Sequence, residues 1–408
     1  MKTAVVFFPI MALTASVSLG GSVAAPYQIG TWEGFRPAAI SYTFDDDLPN
    51  QYAKAVPMFN AMGFKLTLFT VTTWLPGGSW SPLTNAASFG HEIASHTVTH
   101  PILSGLSNAQ QTNELKNSQA AINANVPGQK CVTLAYPNCV EANEVITSQY
   151  YIAARGCSGQ LVPSTPANFL NISSFVCGPQ GSVQTAKNFN DLANSAATAN
   201  AWCVYLIHAI DNDNGYSPLS GVTLQASVNY MNTNRNKFWV ETFGNVVRYI
   251  RERNASSVAE TSSGNDSITI RVTSNLDNTI YNYPITLRRP LPANWPAAAI
   301  SQNNTPVSAQ LVTINSTNYV MFDVVPDGGD IIISKTALPP VLSNPGLNIP
   351  ANFTFRLDGQ TGVGYAIYSS TDLVNWLPIQ TNTMADTYTN FTVAAPNTVQ
   401  FYRAQWVP

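Results

Sequence analysis

Charge is scarce in this 408-residue sequence: Lys, Arg, Asp and Glu make up 10% of it, with a formal net charge of −3. So few basic residues exclude the positive stripe that would hold nucleic acid or an anionic membrane. Long apolar runs are absent beyond the N-terminus, where none approaches the ~20 residues of a membrane helix. No nucleic-acid partner and no membrane span are therefore expected. Cysteine is sparse and one-sided, since Cys131, Cys139, Cys157, Cys177 and Cys203 all precede residue 204. Five thiols allow at most two disulfides within one chain. Cys203, in the apolar run 201–207, is the candidate for a buried free thiol, and the pairing of the others is open. Histidine is rarer still: His91, His96, His100 and His208 are all there is.

At the N-terminus Lys2 precedes an apolar run over 4–19 and the small residues Ser22-Val23-Ala24-Ala25. This predicts a secretory signal peptide over residues 1–25, hence a secreted or periplasmic protein in a compartment that permits disulfides. The length predicts more than one domain.

Residues 26–257 alternate between the strand and helix periods. Residues 38–44 read as a strand, 51–62 as a helix with Tyr52, Val56, Phe59 and Met62 on one face, and 66–71 as the next strand. The alternation continues to a last helix with Thr242 as its N-cap. It predicts an α/β unit with a parallel sheet and helices outside, doubly wound or closed as a barrel. From about residue 258 the helical period vanishes, and short alternating runs separated by Asn, Gly and Pro predict a small β-sandwich over 258–335. Residues 336–350, with Pro339, Pro340, Pro345 and Pro350, read as a stiff linker. A second small all-β sandwich follows over 351–408.

Three of the four histidines fall within residues 90–100. The spacing of His96 and His100 suits one face of a helical turn, so both rings could give a nitrogen to one divalent cation. His91 is five residues from His96, off that face, and reads as structural. A carboxylate is available at Asp45-Asp46-Asp47, ending the apolar alternation Ile40, Tyr42, Phe44. Two histidines, one carboxylate and open positions make a catalytic rather than a closed metal site.

Thr43-Phe44-Asp45-Asp46, followed about fifty residues later by Ser95-His96-Thr97-Val98-Thr99-His100-Pro101, resembles the first two motifs of the metal-dependent polysaccharide deacetylases, carbohydrate esterases with a NodB homology domain. Leu134-Ala135-Tyr136-Pro137 is similar to their third motif and Tyr205-Leu206-Ile207-His208 to their last. The resemblance covers roughly residues 35–255 and implies an irregular (β/α)7 barrel. It implies that Asp46, His96 and His100 hold the metal, Zn²⁺ first and Co²⁺, Mn²⁺ or Ni²⁺ after it. It also implies Asp45 as general base, His208 as general acid, and the backbone N–H of Tyr136 as an oxyanion donor. Leu206, Trp202 and Tyr216 are the residues expected against the substrate.

The sequence departs from the family pattern in three places. Asp47 stands where glycine is usual. The arginine expected at Leu134 is missing, and Arg155 is the candidate to hold Asp45 instead. No Asp-Trp motif orients His208, leaving Asp191, Asp211 and Asp213 as candidates.

The implied substrate is an acetylated carbohydrate polymer or oligomer, an N-acetyl glycan of chitin or peptidoglycan type before O-acetylated xylan, acted on by a monomer. Two other readings stay open: a metal-dependent amidase on a small C–N substrate, and a glycan-binding protein with impaired catalysis. In the last unit Tyr365, Tyr368, Trp376, Tyr402 and Trp406 are either a sugar-stacking face or the core.

Overall fold

The structure is a computed structural model that describes residues 21–348, 352–394 and 399–407. The apolar run of the expected signal peptide lies outside the described residues. A short strand β1 (Gln28–Ile29) precedes the alternation β2 (Ala38–Asp45), α1 (Val56–Ala61), β3 (Thr67–Thr70), α2 (Ser81–Ser88), β4 (Glu92–Ser95), α3 (Asn108–Asn125), β5 (Thr133–Ala135), α4 (Glu144–Thr147), β6 (Ala153–Arg155), β7 (Phe175–Val176), α5 (Ala186–Ala199), β8 (Trp202–Ile207), α6 (Gly221–Thr233), β9 (Phe238–Val240) and α7 (Phe243–Ala255).

Strands β2 to β9 form one parallel sheet in the order β6-β5-β4-β3-β2-β8-β7, with β9 beside the first residues of β2. Every residue of β2 is buried, as expected of a parallel strand covered on both faces. The sheet curls until β6 meets the chain leading into β7 through the bridge between Arg155 and Ile172. This is the irregular (β/α) barrel that the resemblance implied, curled but short of closure.

Side chains alternate across each strand, and the alternation sorts them into two cores. Ile40, Tyr42, Phe44, Leu68, Ile93 and Leu134 pack beneath the outer helices. Ala39, Phe69, Ala94, Ala135, Trp202 and Val204 belong to the inner core. Helix α7 closes the floor: its Phe243 ring lies 5.7 Å from Phe69 and 5.0 Å from Trp202. Val246, Val247 and Ile250 of α7 share that core with Ile270, Leu287 and Phe322 of the unit below. Burying each such side chain contributes about 1.5–3 kcal/mol.

The unit below is a sandwich. One sheet holds β10 (Ser257–Ser263), β11 (Ser267–Thr273), β17 (Ile331–Thr336), β13 (Ala297–Gln302) and β14 (Thr305–Val307); the other holds β12 (Ile285–Pro290), β16 (Thr317–Val324) and β15 (Ala309–Ile314), with β1 at its edge. The last unit packs β18 (Val341–Asn348), β19 (Asn352–Asp358) and β22 (Tyr388–Ala394) with β21 (Leu377–Thr383), β20 (Gly364–Ser370) and β23 (Phe401–Val407). Where the expected linker over 336–350 is described, through residue 348, it is not a linker: most of it is strand β18. Pro345 is tolerated because β18 is an edge strand whose register shifts between Ser343 and Gly346, so the missing N–H interrupts no ladder.

Candidate metal and acid–base centre

The candidate residues meet at the carboxyl ends of the parallel strands. Asp45 ends β2, and Asp46 and Asp47 follow with φ of 76° and 56°, a left-handed conformation that aspartate tolerates better than most residues. The chain thereby turns out of the ladder, leaving Asp45 and Asp46 beside the histidines while Asp47 turns away. Asp47 accepts hydrogen bonds from the Tyr52 hydroxyl at 2.7 Å and the Val71 N–H at 2.9 Å. Burial pushes its carboxyl up to about 7 against those bonds. Asp47 therefore ties the ends of β2 and β3 together, which accounts for an aspartate at the glycine position of the family pattern.

His96 follows β4, and its Nδ1 donates to the Ala135 carbonyl at 2.8 Å, which leaves Nε2 with its lone pair. The expected helical turn from His96 to His100 does not form. Thr97 (φ 73°) and His100 (φ 59°) are left-handed, and Glu114 of α3 accepts the N–H groups of Val98 and Thr99 at 2.8 and 2.9 Å. This turn brings the two rings edge to face, 4.7 Å apart.

Asp46 Oδ1 lies 3.7 Å from Nε2 of both His96 and His100, and the three donor atoms lie within 4.8 Å of one another. That oxygen is buried and has no hydrogen-bond partner among the described residues. Burial, reinforced by the charge of Asp45, pushes Asp46 up to about 7, while burial pushes His96 down to about 3. An unpartnered carboxylate oxygen and two neutral imidazole nitrogens are the donor set of an open divalent-cation site, so these residues fit the metal.

Beside them Asp45 Oδ2 is paired with Arg155 Nη2. Burial alone would raise the Asp45 pKa, but Arg155, with His96 and His208, holds it below the usual carboxylate range. Arg155 is buried, lies over the Phe69 ring at 5.2 Å, and donates to Ser174 Oγ at 3.3 Å. The register explains how it replaces the missing arginine. Leu134 faces the outer core, whereas Ala135 faces inward and is paired across the ladder with Arg155.

His208, one residue beyond β8, places Nε2 3.9 Å from Asp45 Oδ2 and Asp46 Oδ2. Burial lowers its pKa, and its Nδ1 is buried without a partner among the described residues. None of the three aspartates considered as its orienting group is shown bonded to it. Asp191 pairs with Lys187, Asp211 with Lys54, and Asp213 accepts from the N–H groups of Asn50 and Ile210. Tyr216 packs against the imidazole in a T-shaped contact at 4.9 Å instead.

A cavity of about 390 Å³ opens here, lined among others by Asn138, Leu206, His208, Tyr216 and the Cys139–Cys157 disulfide. Two expectations need correction. Trp202 is not at this cavity: it starts β8 at the barrel floor, with its indole N–H donating to Ser41 Oγ at 3.0 Å. The Tyr136 N–H is not free for an oxyanion, because it donates to the Arg155 carbonyl at 3.1 Å in the β5–β6 ladder. The Asn138 N–H, two residues on, has no acceptor among the described residues.

Three further residues escaped the sequence reading. Half-exposed Trp74 stacks on His100 at 4.9 Å; an aromatic just past β3 was its one signal. Gln51 donates to the carbonyls of Asp45 and His208 at 2.5 and 3.0 Å, holding the ends of β2 and β8 together without any motif to announce it. Asn138 is the third. His91 is structural: its Nδ1 accepts from the Leu66 N–H at 3.2 Å and its Nε2 bonds Asn60 Oδ1 at 3.0 Å. Cys131, Cys177 and Cys203 are buried free thiols, so one disulfide forms where two were possible.

Two imidazoles and a carboxylate at the carboxyl edge of a curled parallel sheet, next to a second carboxylate gripped by arginine, define a hydrolase-type centre. Residues 34–152 match the family model described as polysaccharide deacetylase. The match spans under a third of the chain and shows a polysaccharide deacetylase domain over that stretch. By sequence the chain is 29% identical over 337 residues to a gellan lyase of Bacillus sp, covering 77% of this chain and 13% of that protein. It is 32% identical over 103 residues to YxkH of Bacillus subtilis (strain 168), whose name places it among the polysaccharide deacetylases, covering 24% of this chain and 36% of that protein. The chain thus spans well under two thirds of either relative. Among solved structures it is similar to the Xyl-CE4 domain of a multidomain xylanase from the hindgut metagenome of Trinervitermes trinervoides, with 18% identity and a TM-score of 0.38, covering 51% of this chain and 88% of that one. A family 4 acetyl xylan esterase from Clostridium thermocellum, in complex with a cobalt ion, gives 18% identity and a TM-score of 0.35 over 51% of this chain and 89% of that one.

Proposed function

We propose that the protein removes acetyl groups from a carbohydrate polymer or oligomer outside the cytoplasm, using water and a divalent metal, Zn²⁺ first. The observation that carries this reading is the convergence of Asp46, His96 and His100 within 4.8 Å beside the arginine-held Asp45. The Cys139–Cys157 disulfide supports an oxidising compartment, and the polysaccharide deacetylase match supports a glycan substrate.

Asp46, His96 and His100 would hold the ion, which when bound polarises the acetyl carbonyl and makes water a stronger acid. Asp45, ionised through Arg155, accepts a proton from the attacking water at Oδ1, its oxygen without a partner among the described residues. The Asn138 N–H donates to the carbonyl oxygen as it gains charge, a contact of a kind worth about 2.7–4 kcal/mol. His208 Nε2 passes a proton to the departing nitrogen or oxygen, and Leu206 walls the acetyl methyl. Exposed Trp74 and Tyr216 flank the mouth beside His100 and His208, where a sugar ring can stack.

Acetate release from chitooligosaccharides, peptidoglycan and acetylxylan in parallel, with Zn²⁺-loaded protein, tests the reading. Release that disappears in His96→Ala supports it and names the acceptor; no release from any of the three, with metal bound, sinks it.

A further inference from the structure

The five aromatics that the sequence leaves open between core and sugar-binding roles divide in the structure. Tyr365 is fully buried, and Tyr402 and Trp406 pack on the same core, Tyr402 stacking on Phe353 at 5.1 Å. Tyr368 and Trp376 lie on the other face of the β21-β20-β23 sheet, and Arg403 lies with them. Arg403 is directly opposite Tyr368 in the ladder, and because Tyr402, Ala404 and Trp406 face the core, Arg403 faces outward. Its guanidinium carbon sits 4.5 Å from the Trp376 ring centroid and 5.1 Å from that of Tyr368.

Two features separate this stack from an ordinary surface arginine. The exposed Arg403 side chain makes neither an ion pair nor a hydrogen bond among the described residues, so its planar fork of N–H donors is free. Trp376 is held in place. Asp372 accepts the N–H groups of Val374 and Asn375 at 2.9 and 2.7 Å, and the indole N–H donates to the Leu373 carbonyl at 3.1 Å. The acid of this loop is committed to its own turn.

We propose that this face binds an acidic polysaccharide, the carboxylate of a uronic acid taking the Arg403 fork while the sugar ring stacks on Trp376. A carboxylate matches a guanidinium in two parallel hydrogen bonds, and an aromatic face receives the apolar face of a sugar ring. The chain's net charge of −3 gives polyanions no general attraction, so retention must come from a local site. The choice of a polysaccharide rests on the proposed function, but binding is measured without acetate release.

The test is affinity electrophoresis of the full chain in gels containing polygalacturonate, alginate or neutral hydroxyethylcellulose. Expected are retardation by the polyuronates and none by the neutral gel, and at least a tenfold weaker apparent Kd in Arg403→Gln and in Trp376→Ala. Arg403→Lys keeps the charge but not the fork, and should weaken retention severalfold with an unchanged melting temperature, which covers the case that Arg403→Gln fails to fold. No retardation by either polyuronate, equal retardation by the neutral gel, or full retention in a folded Arg403→Lys and Arg403→Gln would overturn the proposal. Acetate release from short neutral chitooligosaccharides should be equal in wild type and Arg403→Gln. Its absence in both would count against the deacetylase reading and leave the binding result standing.

Discussion

The mouth and the floor of the barrel each hold carboxylates, and they treat them in opposite ways. At the floor Glu92 is saturated: Oε2 accepts from the Thr67 hydroxyl at 2.9 Å and the Gly244 N–H at 2.8 Å, and Oε1 from the Thr133 hydroxyl at 2.6 Å. The N-terminal turn of α7 points at it, a favourable place for an anion. Gly244 leaves the room, since a Cβ there would meet Glu92 Oε1 at 2.3 Å. At the mouth Asp45 Oδ1, Asp46 Oδ1 and His208 Nδ1 are buried with no partner among the described residues. A buried polar atom left unpaired costs about 1–3 kcal/mol, so the floor is built for stability and the mouth is held ready for groups that bind there.

Breaking each end should give different signatures. Arg155→Met at the mouth leaves Asp45 buried without its counter-charge, a loss of about 3–5 kcal/mol in stability. It also raises the Asp45 pKa, so activity should fall away at a higher pH on the acid side than in the wild type, read from a pH profile of kcat/KM. Glu92→Gln at the floor should lower stability by about 1–3 kcal/mol in denaturant unfolding while kcat stays put; a large fall in kcat would break the contrast. Glu252 departs from this contrast, being a carboxylate beneath the floor that accepts the Tyr283 N–H at 3.1 Å but leaves Oε1 unpaired among the described residues. Burial pushes its pKa from 4.5 up to about 8. The folded chain then holds a proton that the unfolded chain releases between those values, so stability is greatest below about pH 4.5 and is lost as pH rises toward 8. In Glu252→Gln that part of the slope should vanish, a change of a few degrees in melting temperature at about 2–4 °C per kcal/mol.

Sequence periodicity located β2, β3, β5, β6, β8 and β9 because buried parallel strands are apolar throughout, and it put Asp45 and His208 at or just past strand ends; β4 and β7 escaped it. It could not show the turn that joins His96 to His100, because left-handed residues such as Thr97 carry no mark unless they are glycine. It placed Trp202 with Leu206 because both lie on one face of β8. Four residues of strand separate them by roughly 13 Å, so one reaches the floor and the other the mouth. The Tyr136 N–H was lost to a ladder bond that depends on which strand lies next to β5, information that only the assembled sheet holds. The same dependence worked in the other direction for Arg155, whose value lies in its pairing with Ala135. Proline density suggested a linker over 336–350, and an edge position for β18 made Pro345 harmless within a strand.

The central claim is that the unpartnered atoms at the mouth are a metal site, and calorimetric titration of metal-free protein with Zn²⁺ tests it most directly. The expected result is one ion per chain in the wild type and in Glu92→Gln, with a gain of about 2.7 kcal/mol in stability at a hundredfold excess over Kd, and uptake abolished in Asp46→Asn and His96→Ala. No uptake by the wild type, or equal uptake by Asp46→Asn, would contradict it.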